Sequence, residues 1–324
     1  MADKRQTIEK EIAELFKDVL EYRDSKKFED LLHFCVKLNT LGSYNAMLVK
    51  MQCPEARYVL SRERWATYNR KLIVNARPLM ILVPFGPVSF VFDISQTEHI
   101  EGKPLYEDEY FEELSDPYRA EGSVKPLDYD RFIDNLKYWS IDYTGINHTS
   151  NEFTASLKKG PHYKALEFWK WHRKYQIHFP LTYYLTVNKN LTMETQLVGF
   201  CHEMAHLLCQ HIKAPEFPGQ AQPAWEQRIL SDQQCEFEAE TVAWLITRRH
   251  GIEDSKSVEY LAKYVGSDGK IPYVSISHIM TAVDKIDQLF ETIDIRRSWL
   301  YKNCDEFRSQ VDDMYRDKPR WTLG

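Results

Sequence analysis

Two histidines and a glutamate stand at a spacing that suits metal-assisted hydrolysis. They lie in the run His202-Glu203-Met204-Ala205-His206, which has the form H-E-x-x-H. On an α-helix, residues i and i+4 project from one face, so both imidazoles can bind one Zn²⁺. The glutamate beside the first histidine then faces the open coordination position and can take a proton from metal-bound water. The run predicts His202 and His206 as zinc ligands and Glu203 as the catalytic general base.

A second run of acidic residues can supply the third protein ligand that zinc needs. Residues 235–246 read Cys-Glu-Phe-Glu-Ala-Glu-Thr-Val-Ala-Trp-Leu-Ile, in a helical pattern. Glu238 falls on the apolar stripe of that helix, where a carboxylate needs a compensating charge such as a zinc ion. Glu236 is the alternative, although we expect it to lie with Glu240 on a neighbouring, solvated face. Glu238 is therefore the expected third ligand, beside the two histidines and a water molecule.

The sequence also indicates which elements hold these residues. Thr192 can cap a helix over residues 193–211, and a second long helix is predicted over residues 231–249. His211 is expected to be a cation at the C-terminal end of the first helix rather than a ligand, because no glycine interrupts residues 207–210. The two helices together are expected to build the metal site.

The segments before these helices are less regular. Residues 182–187 have the β-branched and aromatic content of a strand. Residues 128–140 and 161–174 are predicted to be helical, and residues 142–159 to be a polar loop or hairpin. Residues 98–130 contain many charges and three prolines, so they are the best candidate for a domain boundary.

A basic stretch near the N-terminal third suggests a different kind of site. Residues 61–77 contain five basic residues and one acid, in a chain whose net charge is -6. Cations interleaved with aromatic rings suit single-stranded nucleic acid, through phosphate attraction and base stacking. The candidate contacts are Arg62, Arg64, Trp65, Arg70, Lys71 and Arg77. The alternative is a solvated helix that Trp65 anchors to the core.

Composition limits the class of protein. The 324 residues are 43% hydrophobic and 28% charged, which is typical of a globular chain and excludes wholesale disorder. The net charge of -6 excludes a global polycation, so a nucleic-acid site would have to be a local patch. The six cysteines form no C-x-x-C pair, no apolar run reaches 18 residues, and the first residues lack a signal-peptide core. We therefore expect a cytoplasmic protein with no membrane partner.

The strand, the H-E-x-x-H run and the acidic run occur together in a known family. Residues 183–265 resemble the ImmA/IrrE family of zinc metallopeptidases. Residues 236–243 are similar to the Glu-x-Glu-Ala-Asn-x-Phe-Ala pattern of that family, with Glu240 in place of Asn and Val242 in place of Phe. The resemblance implies that Glu238, aligned with the Glu before Ala, is the third ligand. It also implies an intracellular protein as the substrate.

The N-terminal part carries a second, looser resemblance. The matching pieces are Ser43-Tyr44-Asn45, Pro54-Glu55-Ala56, Trp65, Asn69-Arg70 and residues 77–84. They are similar to the single-stranded-DNA-binding domain of ArdC-like antirestriction proteins, in which this domain precedes a metalloprotease-like one. Asn69 stands where that family usually has Gly. The resemblance implies single-stranded DNA as a partner.

These observations predict an α+β fold. A small N-terminal α/β domain is expected over residues 1–125, followed by a mostly helical, zincin-like metallopeptidase domain with a short sheet over residues 126–324. The predicted function is a zinc-dependent endopeptidase that acts on an intracellular protein and is coupled to DNA binding. One alternative is an antirestriction or DNA-protecting binding protein of a mobile element. Another is a zinc hydrolase with a non-peptide substrate.

Overall fold

The computed structural model describes most of the chain. The described residues are 25–38, 40–83, 86–106, 125–148, 154–170, 172–252, 264 and 270–316. Residues 107–124 of the predicted boundary segment lie outside them. The fold is α+β, with small sheets, as the sequence predicts.

The elements alternate between helices and short or paired strands. The helices are α1 Ser25–Lys37, α2 Ser43–Gln52, α3 Arg62–Thr67, α4 Pro126–Asn135, α5 Met193–Leu208, α6 Asp232–Arg249, α7 Ile276–Asp287, α8 Trp299–Asn303 and α9 Asp305–Arg316. The strands are β1 Val59–Leu60, β2 Arg70–Leu72, β3 Leu79–Val83, β4 Gly86–Asp93, β5 Thr97–His99, β6 Ile141–Ile146, β7 Ala155–Lys170 and β8 Arg173–Asn188. In the described part of the chain, no helix combines the length and apolar composition needed to cross a membrane.

The chain divides into two compact units. The first comprises residues 1–122 and 247–284, and the second comprises residues 123–246 and 285–324. The first unit therefore takes in the last three residues of α6, the second helix of the candidate site, and the segment that follows it. The H-E-x-x-H run and all three glutamates of the acidic run belong to the second unit.

The first unit is built on two small antiparallel sheets. One has the strand order β1-β4-β3, and the other pairs β2 with β5. The short helix α3 begins after Ser61, whose Oγ accepts a hydrogen bond from the backbone N–H of Arg64. Its Trp65 is fully buried with Tyr58 and Phe92. A core of aromatic side chains thus fixes α3 against the sheet.

A long hairpin dominates the second unit, and it corrects one prediction. Strand β7 pairs antiparallel with β8, and β8 pairs parallel with β6, so the sheet order is β6-β8-β7. The helix predicted over residues 161–174 is wrong, because most of that segment lies in β7. The side chains there alternate with a period of two, which is the strand period: Leu166 and Phe168 pack toward Phe179, whereas Trp169 is exposed.

Candidate metal centre

The first helix of the site, α5, is positioned at both ends by the local sequence. The Thr192 side chain caps its N-terminus by accepting a hydrogen bond from the backbone N–H of Thr195, as predicted. One face of α5, which includes Leu197, Phe200 and Met204, is fully buried. Packing of that face fixes the rotation of the helix and leaves the three polar residues of the H-E-x-x-H run half-buried on another side.

The C-terminal end of α5 differs from the prediction that the helix continues to His211. The helix ends at Leu208, and Gln210 adopts the left-handed conformation with φ of 64°. The backbone N–H of His211 bonds the carbonyl of His206, and that of Gln210 bonds the carbonyl of Leu207. This pair of bonds is a Schellman turn, formed here without glycine. The turn folds the His211 side chain back beside His206.

Three candidate ligand side chains converge beside α5. Nε2 of His202 lies 3.1 Å from Nε2 of His206. The Glu236 carboxylate on α6 places one oxygen 3.4 Å from Nε2 of His202 and the other 3.6 Å from Nε2 of His206. Tetrahedral zinc with bonds of about 2.0–2.2 Å holds its ligand atoms about 3.3 Å apart. The separation of the two imidazole nitrogens is close to this value, and the Glu236 carboxylate reaches both nitrogens. One atom from each of the three residues lies within 4.8 Å of the others, and a donor set of two imidazoles and one carboxylate suits zinc.

Glu238, the expected third ligand, lies in a different cluster. Its side chain is fully buried, and Arg228 holds both of its oxygens, at 2.6 Å through Nη1 and 2.9 Å through Nη2. One oxygen also lies 2.8 Å from Nε2 of His211. Among the described residues, the carboxylate that joins His202 and His206 is that of Glu236, the alternative ligand in the acidic run.

Glu238 is buried, as the sequence predicts, but the positive charge beside it is an arginine rather than a metal ion. A carboxylate on the apolar stripe of α6 needs a positive charge, and Arg228 from the preceding loop provides it. Nothing in the local sequence around Arg228 indicates this pairing, because it depends on how the loop folds. The Glu236 side chain is 44% exposed, as expected for a solvated face, whereas that of Glu240 is only 16% exposed. Both carboxylates also face His202, which the sequence does not predict.

The charges around the two histidines favour a cation between them. Burial lowers the pKa of His202, but hydrogen bonds to Glu236 and Glu240 outweigh this effect and raise it to about 10. The two carboxylates thus create a strongly negative environment at this imidazole. Burial and the neighbouring charge of His202 lower the pKa of His206, which keeps its imidazole neutral. A neutral imidazole is the form that ligates a metal, so His206 is already in that form and His202 would release a proton when a metal binds.

Glu203 is held beside the two candidate ligand histidines by the sheet. One of its carboxylate oxygens accepts a hydrogen bond of 2.8 Å from the backbone N–H of Leu157 on β7. The close approach requires Gly199, because a Cβ there would lie 2.5 Å from a methyl carbon of Thr154 and 3.1 Å from Cβ of Ala155. Burial raises the pKa of the Glu203 carboxyl above its ordinary value, which is the direction a general base at neutral pH needs.

The candidate nucleic-acid residues fall into two groups in the first unit. Trp65 is a core residue, and its indole N–H donates a hydrogen bond of 2.8 Å to the carbonyl of Phe92. Its buried ring therefore supports the fold and is not exposed for stacking on a base. Arg70 is half-buried and bonds both the hydroxyl and the carbonyl of Thr97. The remaining cations lie on the surface: Arg62, Arg64, Lys71 and Arg77. The exposed group is what a polyanion could reach.

Comparisons with known proteins bear on neither site. No family model, curated protein or solved structure matches this chain. The resemblances to the ImmA/IrrE and ArdC-like families therefore rest on the sequence motifs alone. What the chain does has to be inferred from its own residues and their geometry.

Proposed function

We propose that this protein is a zinc-dependent peptidase in which His202, His206 and Glu236 hold the metal and Glu203 is the general base. The observation that carries the proposal is the convergence of two imidazole nitrogens, 3.1 Å apart, on the Glu236 carboxylate, whose two oxygens lie 3.4 Å and 3.6 Å from them. Glu203 belongs to the same helix as both histidines. This assignment replaces Glu238 by Glu236 as the third ligand.

The chemistry divides between the metal and the protein. Bound zinc would polarise the scissile carbonyl and lower the pKa of the attacking water. Glu203 takes a proton from that water and later gives it to the leaving amine. The hydrogen bond from the N–H of Leu157 orients the carboxyl, and burial raises its pKa in the direction that both transfers need.

The sheet supports a peptide as the substrate. Strand β7 lies at one edge of its sheet, and the N–H of Leu157 points from that edge to Glu203. An extended peptide can add to such an edge as a further strand, which would lay its backbone past the general base. This arrangement favours a peptidase over a zinc hydrolase of small molecules.

The setting that fits this proposal is the cytoplasm, with an intracellular protein as substrate. All six cysteines are free thiols, which suits a reducing compartment. The resemblance to the ImmA/IrrE family points in the same direction. A repressor or a DNA-bound protein is the kind of target that a linked DNA-binding unit could locate.

Zinc content tests the ligand assignment. We expect wild-type protein to retain about one zinc per chain after dialysis, because three protein ligands hold the ion and leave the fourth position to water. Replacing Glu236 with Gln should remove most of this zinc, because the amide is a much weaker ligand than the carboxylate. The matched control is Glu226→Gln, which makes the same change at an exposed position. Metal analysis of the three proteins measures the effect, and full retention by Glu236→Gln would contradict the assignment.

We propose single-stranded DNA as a second ligand, because four cations of the basic stretch are exposed in a chain of net charge -6. Replacing Arg62, Arg64, Lys71 and Arg77 with Gln should weaken binding to a labelled oligonucleotide. The slope of log affinity against log salt should shrink by about 0.7 for each phosphate that the variant no longer neutralises. The control removes four exposed lysines of the second unit, namely Lys158, Lys189, Lys213 and Lys302. Equally weakened binding in the two variants would show that the basic stretch is no binding site.

A further inference from the structure

A chain of hydrogen bonds leads from the proposed zinc ligands into the buried part of the second unit. Nδ1 of His206 lies 3.0 Å from Nδ1 of His211, and Nε2 of His211 lies 2.8 Å from a Glu238 oxygen. Arg228 closes the chain with its two bonds to the same carboxylate. The chain thus joins one proposed metal ligand to a buried ion pair.

The proton positions along this chain are set by its two ends. His206 turns Nε2 toward His202 and Glu236, so an imidazole that ligates through Nε2 must carry its proton on Nδ1. That N–H needs an acceptor, and Nδ1 of His211 is the atom within reach. His211 must then carry its own proton on Nε2, which donates to Glu238. A carboxylate can only accept and a guanidinium can only donate, so every bond has one consistent direction.

The cluster is rigid enough to fix an orientation. The side chains of His211 and Glu238 are only 2% and 0% exposed. The backbone N–H of Arg228 donates to the carbonyl of Gln210, and the Gln227 side chain donates to the carbonyl of His211. Arg228 also donates to the carbonyl of Cys209. The loop therefore holds the Schellman turn and its histidine in a single arrangement.

We infer that His211 and Glu238 are positioning residues that set the tautomer and the ring orientation of His206 for zinc binding. The inference rests on the proposed function, since it assigns a partner to one of its ligands. For His202, the residue in the corresponding position is Glu240, whose carboxylate lies 3.2 Å from Nδ1 and can accept its proton directly. Metal-bound histidines commonly donate their second N–H in this way, and removing the acceptor costs about 10–100-fold in metal affinity.

Zinc affinity, measured by competition with a chelating dye, tests the inference. We expect His211→Leu to weaken zinc binding by about 10–100-fold while one zinc per chain still binds at saturation. His211→Asn should recover part of this affinity, because its side-chain oxygen restores an acceptor near the position of Nδ1. The control is Phe307→Leu in the hydrophobic core of the same unit, which should lower the melting temperature and leave zinc affinity unchanged.

The outcomes separate this inference from the proposed function. Wild type that takes up no zinc would overturn both. Wild type with one zinc, together with unchanged affinity in His211→Leu, would overturn the positioning role and leave the peptidase proposal standing. Zinc affinities that fall with melting temperature alike in His211→Leu, His211→Asn and Phe307→Leu would show a merely structural role. Two zinc ions per wild-type chain would instead make Cys209, His211 and Glu238 a second metal site, against the inference.

One measurement needs no substitution and remains decisive if His211→Leu does not fold. In zinc-loaded wild type labelled with ¹⁵N-histidine, NMR should show a proton on Nδ1 of His206 and the metal on Nε2. It should also show the proton of His211 on Nε2. A proton on Nδ1 of His211 would leave His206 without its acceptor and would overturn the inference.

Discussion

Replacing Glu203 with Gln is expected to abolish peptide hydrolysis while zinc stays bound. The amide cannot take the proton of the attacking water, and removing a positioned general base costs about 10²–10⁴-fold in rate. Gln keeps the size of the side chain and an oxygen that can still accept the N–H of Leu157, so the fold and the metal ligands should be unaffected. Cleavage of a peptide library, followed by mass spectrometry, measures the rate, and metal analysis confirms the zinc.

Two comparisons make this result interpretable. Glu226→Gln, an exposed residue of the same type, should cleave at the wild-type rate. Hydrolysis by Glu203→Gln at that same rate would contradict the general-base assignment. If neither wild type nor variant hydrolyses any peptide although zinc and single-stranded DNA are bound, the antirestriction or DNA-protecting alternative becomes the better explanation.

The helices that hold the proposed metal site could be predicted well because their signals are local. The cap at Thr192 and the apolar periodicity of α5 depend on residues within a few turns of one another. The spacing of His202 and His206 on one helix face follows from helix geometry alone. The carboxylate that faces both histidines could not be found in this way, because the different positions of Glu236 and Glu238 depend on Arg228 and on how its loop packs.

The hairpin and the end of α5 show two further limits of local patterns. Residues 161–174 contain enough apolar and aromatic side chains for a helix, but their burial in β7 follows a period of two, which pairing with β8 selects. Gln210 ends α5 in a conformation usually taken by glycine. In both places, tertiary contacts outweigh the residue preferences on which the predictions were based.

The second large effect is a loss of stability when the buried ion pair of Arg228 and Glu238 is broken. Replacing Arg228 with Met is expected to destabilise the second unit by about 3–5 kcal/mol, because a fully buried carboxylate at Glu238 is then left without the charge that compensates it. His211 alone cannot replace a guanidinium that binds both oxygens. Urea denaturation, monitored by tryptophan fluorescence, measures the free energy of unfolding.

A double-mutant cycle shows whether the destabilisation comes from the orphaned charge. Arg228→Met combined with Glu238→Gln removes both charges and keeps an oxygen that can accept the N–H of His211. The double variant should therefore be more stable than Arg228→Met alone, although it lacks more of the native ion pair. If the two effects simply add, burial of the Glu238 charge is not what Arg228 compensates. Recovery in the double variant would show that Arg228 supplies the positive charge that the buried carboxylate on the apolar stripe of α6 needs, the role for which the sequence suggested a zinc ion.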